Sequence, residues 1–507
     1  MKICLINPPM LLPKNWKGVV RVFQPIGLAY IAAVLEKNGY EVTIFDALTE
    51  GWKKTHEING QKYCGLSYED ITKKTEEISP DVVGIMSLSA HARSSYWTAE
   101  AIKNADKNIT VVIGGPHASV SPKSCLSNEN VDFVVMGEGE YTFLELVKTI
   151  EKGTFDSSIL KSIDGIGFRE NNGIIINKPR ETIKNLDELP FPARHLLPME
   201  KYFEAAKSLQ TSRATSKRSI TMITSRGCPF NCIFCSINLT MGRMWRARSS
   251  ENIIGEIEQL IKDYDVEEIF FEDDNMSLDK KRMENICNLI IKKKITISWY
   301  APNGLRADTL DEDLLRKMKE AGCKKIYVAP ESGNQEVVNK IVGKNLDLKK
   351  VEEVVAACKK VGIGVGCYFV IGLPGETNEN MMQTIEFGRK LRSLGATSCS
   401  FFIANPFYGT RLYKIVKEKE YLTVKSDDEL EEEAFLNLKP VIKTPEFTPE
   451  EVYKLREMAV GEQDFSKMIS TLKSVSGLKL FLVAAIRSPK TIFRYIYRMR
   501  HSLFRKK

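Results

Sequence analysis

Apolar and polar positions in the first 150 residues alternate between two periods. Short apolar runs occupy Lys2–Asn7, Glu41–Phe45, Val82–Met86, Thr110–Ile113 and Asp132–Val135, and stretches with helical spacing lie between them at Ile26–Lys37, Tyr68–Glu77, Tyr96–Ala105 and Tyr141–Glu151. Strand-like runs separated by amphipathic helices predict a doubly wound parallel sheet, an α/β fold. Ligands of such sheets collect at the carboxyl ends of the strands. A second alternation with longer units starts at Ser219, with strands expected at 219–224, 267–272, 296–300, 325–329, 365–371 and 397–402. Six such units predict a partial (β/α)6 barrel, with active groups at the C-terminal strand ends. Between the two lie a hairpin around Asn171-Asn172-Gly173 and a proline-bearing connector, Asn185–Pro198. Beyond about residue 440 the pattern is helical, and Thr448-Pro449-Glu450-Glu451 reads as a cap with proline at the first helical position. The expected domains are 1–155, a hairpin and linker at 156–215, the barrel at 216–440 and a helical segment at 441–507 with a basic tail.

Composition changes this picture in two places. The chain has 507 residues, enough for two or three domains with proper cores. Its eleven cysteines come without an export signal, since Met1–Asn7 reads as a strand, so reduced thiols and a cytoplasmic location are expected. The formal charge of +8 is concentrated at one end. Eleven Lys/Arg and no Asp/Glu lie between Phe465 and Lys507, and the rest carries 62 basic and 65 acidic residues, a net of −3. Within 487–507, Ile492, Phe493, Tyr495 and Ile496 interleave with Arg487, Lys490, Arg494 and Arg498. Such a segment is either a peripheral anchor on an anionic membrane surface or a helix packed on the barrel mouth with a solvated basic face. Leu478–Ile486 is too short to span a bilayer, and no nucleic-acid partner is expected.

The densest chemical signal is Ser225-Arg226-Gly227-Cys228-Pro229-Phe230-Asn231-Cys232-Ile233-Phe234-Cys235-Ser236. A zinc site or a fully protein-ligated iron–sulfur cluster normally takes four ligands, yet the next cysteine is Cys287. Three thiolates on a cube leave one iron open to a small molecule; core cysteines or a zinc knuckle are the alternatives. The CxxxCxxC spacing, with Gly227 before it and Phe234 before the last cysteine, resembles the signature of the radical S-adenosylmethionine (SAM) enzymes. The resemblance implies a 4Fe–4S cluster on Cys228, Cys232 and Cys235 whose open iron chelates SAM and whose electron cleaves it to a 5′-deoxyadenosyl radical. It further implies Phe234 beside SAM, Asp273, Asp274 and Asn275 on the methionyl ammonium, Glu331 and Ser332 at the ribose, and Gly372 near the adenine. Each of these follows a predicted strand end, as does Asn405-Pro406-Phe407-Tyr408-Gly409-Thr410. The other cysteines sit singly in mostly apolar runs and read as core residues. Cys323 and Cys367 remain candidates for a catalytic role, and no motif for a second cluster is present.

The strand ends of the first sheet carry Asn7-Pro8-Pro9, Asp46-Ala47, Ser87-Leu88-Ser89, Gly114-Gly115-Pro116-His117-Ala118-Ser119 and Gly137-Glu138-Gly139-Glu140. Small residues there let a large planar ligand approach the backbone, and the hydroxyls suit its amides. A nucleotide site is the rival, but no Gly-x-Gly-x-x-Gly follows the first strand. As an ordered set, these loops resemble the cobalamin-binding domain fused to many radical SAM enzymes. The resemblance implies cobalamin contacts from Asn7, Pro8, Ser87, Ser89, Gly114, Gly115, His117, Gly137 and Glu138. The Asp-x-His-x-x-Gly run that supplies histidine to cobalt in many cobalamin proteins is absent. Cobalamin is therefore expected without a protein histidine on cobalt, and His117 is expected to be a loop hydrogen-bonder.

The resemblance covers about residues 1–410 and implies a cobalamin-dependent radical SAM enzyme. Its implied chemistry is hydrogen abstraction from an inert carbon, followed by methyl delivery from cobalamin to the substrate radical. Three readings stay open: C-methylation of a small molecule or lipid, radical cyclisation or oxidation of a lipid or tetrapyrrole, and a non-catalytic cobalamin or redox sensor. An enzyme of this kind also needs an electron donor such as ferredoxin or flavodoxin.

Overall fold

The computed structural model describes residues 1–472 except 15, 17, 19, 154, 155, 172 and 210–217. The basic stretch of 487–507 lies outside the described residues. Five parallel strands form the centre of the first sheet: β1 (Lys2–Asn7), β2 (Glu41–Asp46), β3 (Val82–Met86), β4 (Thr110–Gly114) and β5 (Phe133–Val135). Their order is β2-β1-β3-β4-β5, so the chain reverses direction across the sheet beside β1. That reversal opens a crevice at the carboxyl ends.

Alternation along each strand sorts the core into two layers. Ile3 and Leu5 of β1 pack with α1 (Ile26–Lys37) and with Phe143 and Val147 of a later helix, Gly139–Glu151. Cys4 and Ile6 point the other way, against Ile71 of Tyr68–Ile78 and Ile102 of Ala92–Ala105.

The hairpin expected within the linker is part of this sheet. Its strands, β6 (Ile166–Glu170) and β7 (Gly173–Ile176), continue the sheet antiparallel beyond β5, with Phe133 opposite Phe168 and Val135 opposite Ile166. Local pattern shows a hairpin but not its partner. Pairing follows from Ile166 and Phe168 burying against the first domain's core. A small sheet of Met10–Leu11, Gln61–Cys64 and Thr55–Ile58 was also not expected from periodicity.

The barrel strands are β8 (Ser219–Met222), β9 (Glu268–Phe271), β10 (Ser298–Leu305), β11 (Cys323–Glu331), β12 (Gly364–Ile371) and β13 (Ser398–Ile403), parallel and adjacent in chain order. Phe271, Trp299, Val328 and Phe369 bury outward under the helices. On the opposite face aromatic rings stack strand to strand, Phe270 on Tyr300 at 4.8 Å and Tyr327 on Tyr368 at 4.7 Å. Cys323 and Cys367 lie fully buried in the outer core.

The C-terminal helix begins at Pro449. Thr448 and Glu451 cap it reciprocally, the Thr448 N–H donating to the Glu451 carboxylate at 2.7 Å and the Glu451 N–H to the Thr448 hydroxyl at 3.3 Å. Among the described residues no helix is long and apolar enough to cross a membrane.

Candidate active site

The cluster loop leaves β8 inside a two-stranded ribbon, Ser225–Arg226 paired antiparallel with Arg246–Ala247. Gly227 follows at φ 81°, and a Cβ there would lie 2.5 Å from the Met244 carbonyl oxygen and 3.0 Å from that of Gly242. Only glycine satisfies both the dihedral and the space. Cys228, Cys232 and Cys235 are partly exposed, whereas the other eight cysteines are buried. The loop is fastened to the barrel: the Ile233 N–H donates to Val342 O at 3.0 Å, Ile233 O accepts from Leu412 at 2.9 Å, and the Arg306 guanidinium lies 3.7 Å over the Phe230 ring.

Among the described residues no three His, Cys, Asp or Glu side chains converge to share a single metal ion. A zinc knuckle needs such convergence. Three partly exposed thiols on one short loop suit a cube, whose thiolates each take a different iron. Burial raises all three thiol pKa values, Cys235 up to about 12, while Lys344 and Arg306 pull Cys228 and Cys232 back down. Neither cation has a motif spacing that would flag it. Gly343 at φ 75° turns the chain so that Lys344 is buried beside the loop.

The acidic residues after β9 separate into different roles. Asp273 is engaged by β8: it accepts from the Thr224 hydroxyl at 2.6 Å, the Ser225 hydroxyl at 2.6 Å and the Thr224 N–H at 3.1 Å. Through these bonds it anchors the end of β8. Asp274 faces the cluster loop, accepting the Gly227 N–H at 3.0 Å, and burial raises its carboxyl to about 6. The Asn275 side-chain oxygen is buried without a partner, an acceptor that fits an ammonium group.

Glu331 ends β11 at φ 68°, a left-handed conformation uncommon outside glycine. Its carboxylate meets the Lys344 ammonium at 2.7 Å, and that ammonium also reaches Ala329 O at 2.6 Å. Ser332 is fully buried, bonded to the Thr384 hydroxyl at 2.9 Å and accepting from the Asn334 N–H, so it shapes the loop and is not open to a ribose. Phe234 packs against the apolar cluster that holds Ile233 and Val342. Gly372, at φ 86°, lies where a Cβ would come 3.0 Å from Val452 of the C-terminal helix.

A mostly apolar cleft opens at the strand ends of the first sheet. Leu5, Gly84, Val112 and Phe143 line its depth, Gly114, Gly115 and Gly137 its middle, and Ile223, Arg226, Thr240 and Met241 of the second domain its far wall. A Cβ at Gly84 would sit 2.9 Å from Leu5 and 3.2 Å from Phe143, so the bare backbone keeps that depth open. The apolar lining and the glycine floor fit the flat face of a large planar cofactor. The Ser87 hydroxyl is fully buried behind Gly115 and has no protein hydrogen-bond partner.

Several residues expected at cobalamin are placed elsewhere. The Asn7 amide donates to Asp46 at 2.9 Å in a buried knot that also contains Thr49 and Tyr202. Asn7, Pro8, Ser87, Ser89 and His117 do not line the cleft. His117 is fully buried, with Nδ1 at 3.2 Å from the Ser89 hydroxyl and Nε2 at 3.0 Å from the Tyr96 hydroxyl. Burial lowers its pKa to about 4, so the ring is neutral. Glu138 does line the cleft, but its carboxylate is engaged by Arg226 at 2.8 Å and Arg246 at 2.7 Å and does not reach toward cofactor amides. Leu5, Gly84, Phe143 and the second-domain residues were missed because strand interiors and another domain carry no loop signal.

Residues 222–388 match the model of the Radical SAM superfamily and residues 19–147 that of the B12 binding domain. An uncharacterized methyltransferase of Pyrococcus horikoshii is 35% identical over 90% of this chain and 91% of its own. The cytidylyl-2-hydroxyethylphosphonate methyltransferase of Streptomyces wedmorensis is 33% identical over 82% of this chain and 81% of its own. In fold, the chain is similar to the cobalamin-dependent SAM radical enzyme OxsB, with TM-score 0.70 and 16% identity over 99% of this chain and 71% of that one. With three partly exposed thiols on one loop of the second domain and a glycine-floored cleft in the first, the chain belongs to the cobalamin-dependent radical SAM enzymes, whose cofactors are a 4Fe–4S cluster, SAM and cobalamin.

Proposed function

We propose that the protein is a C-methyltransferase acting on a carbon that has no activating neighbour. The observation that carries this reading is a single cleft walled by both domains, Gly114, Gly115 and Gly137 on one side and Arg226, Thr240 and Met241 on the other. A methyl donor in that cleft adjoins the loop that carries the cluster. The two relatives above 30% identity, both described as methyltransferases, support the same outcome.

When bound, the cluster with SAM supplies a carbon-centred radical that removes a hydrogen atom, and cobalamin supplies the methyl group that takes its place. The chain's own residues hold and orient these groups. Cys228, Cys232 and Cys235 ligate the cluster, Gly227 sets their turn, and Asp274 fixes that turn through its N–H. The unpartnered Asn275 oxygen would accept from the ammonium of SAM, and Glu331, whose other oxygen is held by Lys344, would serve the ribose. Leu5, Val112 and Phe143 keep water from the depth of the cleft. Electrons come from a small ferredoxin- or flavodoxin-type donor.

The test is anaerobic reconstitution with cobalamin, reductant and SAM deuterated on its methyl group, followed by incubation with extracts of cells lacking the protein. A product heavier by one labelled methyl unit is expected. A product lighter by two hydrogens would assign the chain to ring formation or oxidation. No SAM cleavage under any condition would leave the sensor reading.

A further inference from the structure

Glu138 lies at the carboxyl end of the first sheet, and both its oxygens point across the domain boundary. Arg226 donates to it at 2.8 Å, and Arg246 donates to its two oxygens at 2.9 and 2.7 Å. Its Oε2 also accepts the Ile183 N–H at 2.8 Å. Glu140 receives the other arm of Arg226 at 2.6 Å. Two guanidinium groups and two carboxylates thus balance, with side chains only 3–7% exposed. Arginine is required here because its planar fork reaches two carboxylates at once.

The two arginines are not arbitrary surface partners. They sit opposite each other on the ribbon that opens and closes the cluster loop. Arg226 precedes Cys228 by one intervening residue, and the space beside Gly227 is filled by the carbonyls of Met241, Gly242 and Met244. Arg246 holds the loop from its other end, donating to Met241 O at 2.7 Å. Ribbon and loop therefore have no slack between them. Arg226, Glu138 and Glu140 also form part of the cleft wall.

We propose that Glu138, Arg226 and Arg246 are positioning residues: a buried clamp that sets the distance between the cluster and the corrin in the cleft. The clamp rests on cobalamin occupying that cleft. It acts through the cluster loop, since its carboxylate oxygens are already engaged. Radical and methyl transfer both need reacting atoms in near contact, where a shift of about 1 Å costs roughly a hundredfold in rate.

The test uses the full chain carrying both cofactors, with Glu138→Gln and Glu140→Gln. Paramagnetic cob(II)alamin and the one-electron-reduced cluster interact magnetically, and that interaction falls steeply with separation. Electron paramagnetic resonance of the doubly paramagnetic protein should show an altered or broadened interaction in Glu138→Gln, with a smaller change in Glu140→Gln. Iron and cobalamin contents should stay at wild-type levels. Methyl transfer from SAM to reduced cobalamin should fall roughly tenfold or more relative to 5′-deoxyadenosine formation. An unaltered magnetic interaction, or loss of cobalamin in step with any change, would overturn the clamp. Should Glu138→Gln not fold, the charge-balanced Glu138→Gln/Arg246→Met double variant takes its place, with the same magnetic and kinetic changes expected and the same results overturning the clamp. Cobalamin failing to bind the unaltered chain would instead defeat the assignment of the cleft.

Discussion

The side-chain oxygen of Gln24 accepts the backbone N–H of Thr221 at 3.1 Å and its hydroxyl at 3.2 Å, so a residue of the cobalamin domain completes the open edge of the barrel's first strand. Arg194 of the connector takes the Thr221 carbonyl at 2.9 Å. An edge strand left bare invites pairing with foreign chains. Here the same contacts that cover it dock the two domains.

Gln24→Leu preserves volume but leaves a buried N–H without a partner. It should destabilise the protein by about 1–3 kcal/mol. Denaturant unfolding of both proteins checks this, and an unchanged midpoint would mean that the Gln24 bond contributes nothing to the edge.

Gly227→Ala forces a Cβ into the space of the Met244 carbonyl at a positive φ. The left-handed backbone alone costs about 1–2 kcal/mol for an L-residue, and the clash adds to it. Iron and sulfide assays after reconstitution should show most of the cluster lost, while circular dichroism reports the fold retained.

Glu331 is expected to serve SAM and not the cluster. Glu331→Gln should keep its iron and weaken SAM binding about ten- to a hundredfold, matching the loss of a charged hydrogen bond of about 1.5–3 kcal/mol. Equilibrium dialysis with labelled SAM measures this. Iron loss in the variant would instead tie the Glu331–Lys344 pair to the cluster.

Glu376 gives the protein a pH dependence of known sign. It is fully buried after β12, and burial pushes its carboxyl from 4.5 up to about 8 against the N–H groups of Leu373 and Gly372. Within that window the folded state keeps the proton that the unfolded state releases, so stability is full below about 4.5 and declines as pH rises to about 8. Glu376→Gln should remove this slope, a difference on the order of a few kcal/mol across the window. Parallel pH profiles of unfolding in the two proteins would refute the assignment.

Much of the fold was legible from local pattern. The helix at Ile26–Lys37 and the strands Lys2–Asn7 and Val82–Met86 have the boundaries that periodicity predicts. Buried faces impose a repeat of two or 3.6 on sequence neighbours, so each element carries its own record. The hairpin at 166–176 was visible for the same reason, but its place at the end of the first sheet was not.

Chemistry controlled by short spacing is written along the chain. Cys228, Cys232 and Cys235 lie on one short loop, and Gly227 before them has no substitute, so the cluster signature is complete within a few residues. Which polar groups remain available depends on how distant segments pack. Asp273 and Asp274 are adjacent in the chain, yet one is engaged by the end of β8 and the other faces the cluster turn. Glu138 stands in a loop that resembles a cofactor contact, but Arg226 and Arg246, 88 and 108 residues away, take its oxygens. Bond geometry limits a loop's reach and can be read along the chain. The partner of a buried charge is set by which distant segments the core brings together, and no local pattern records that.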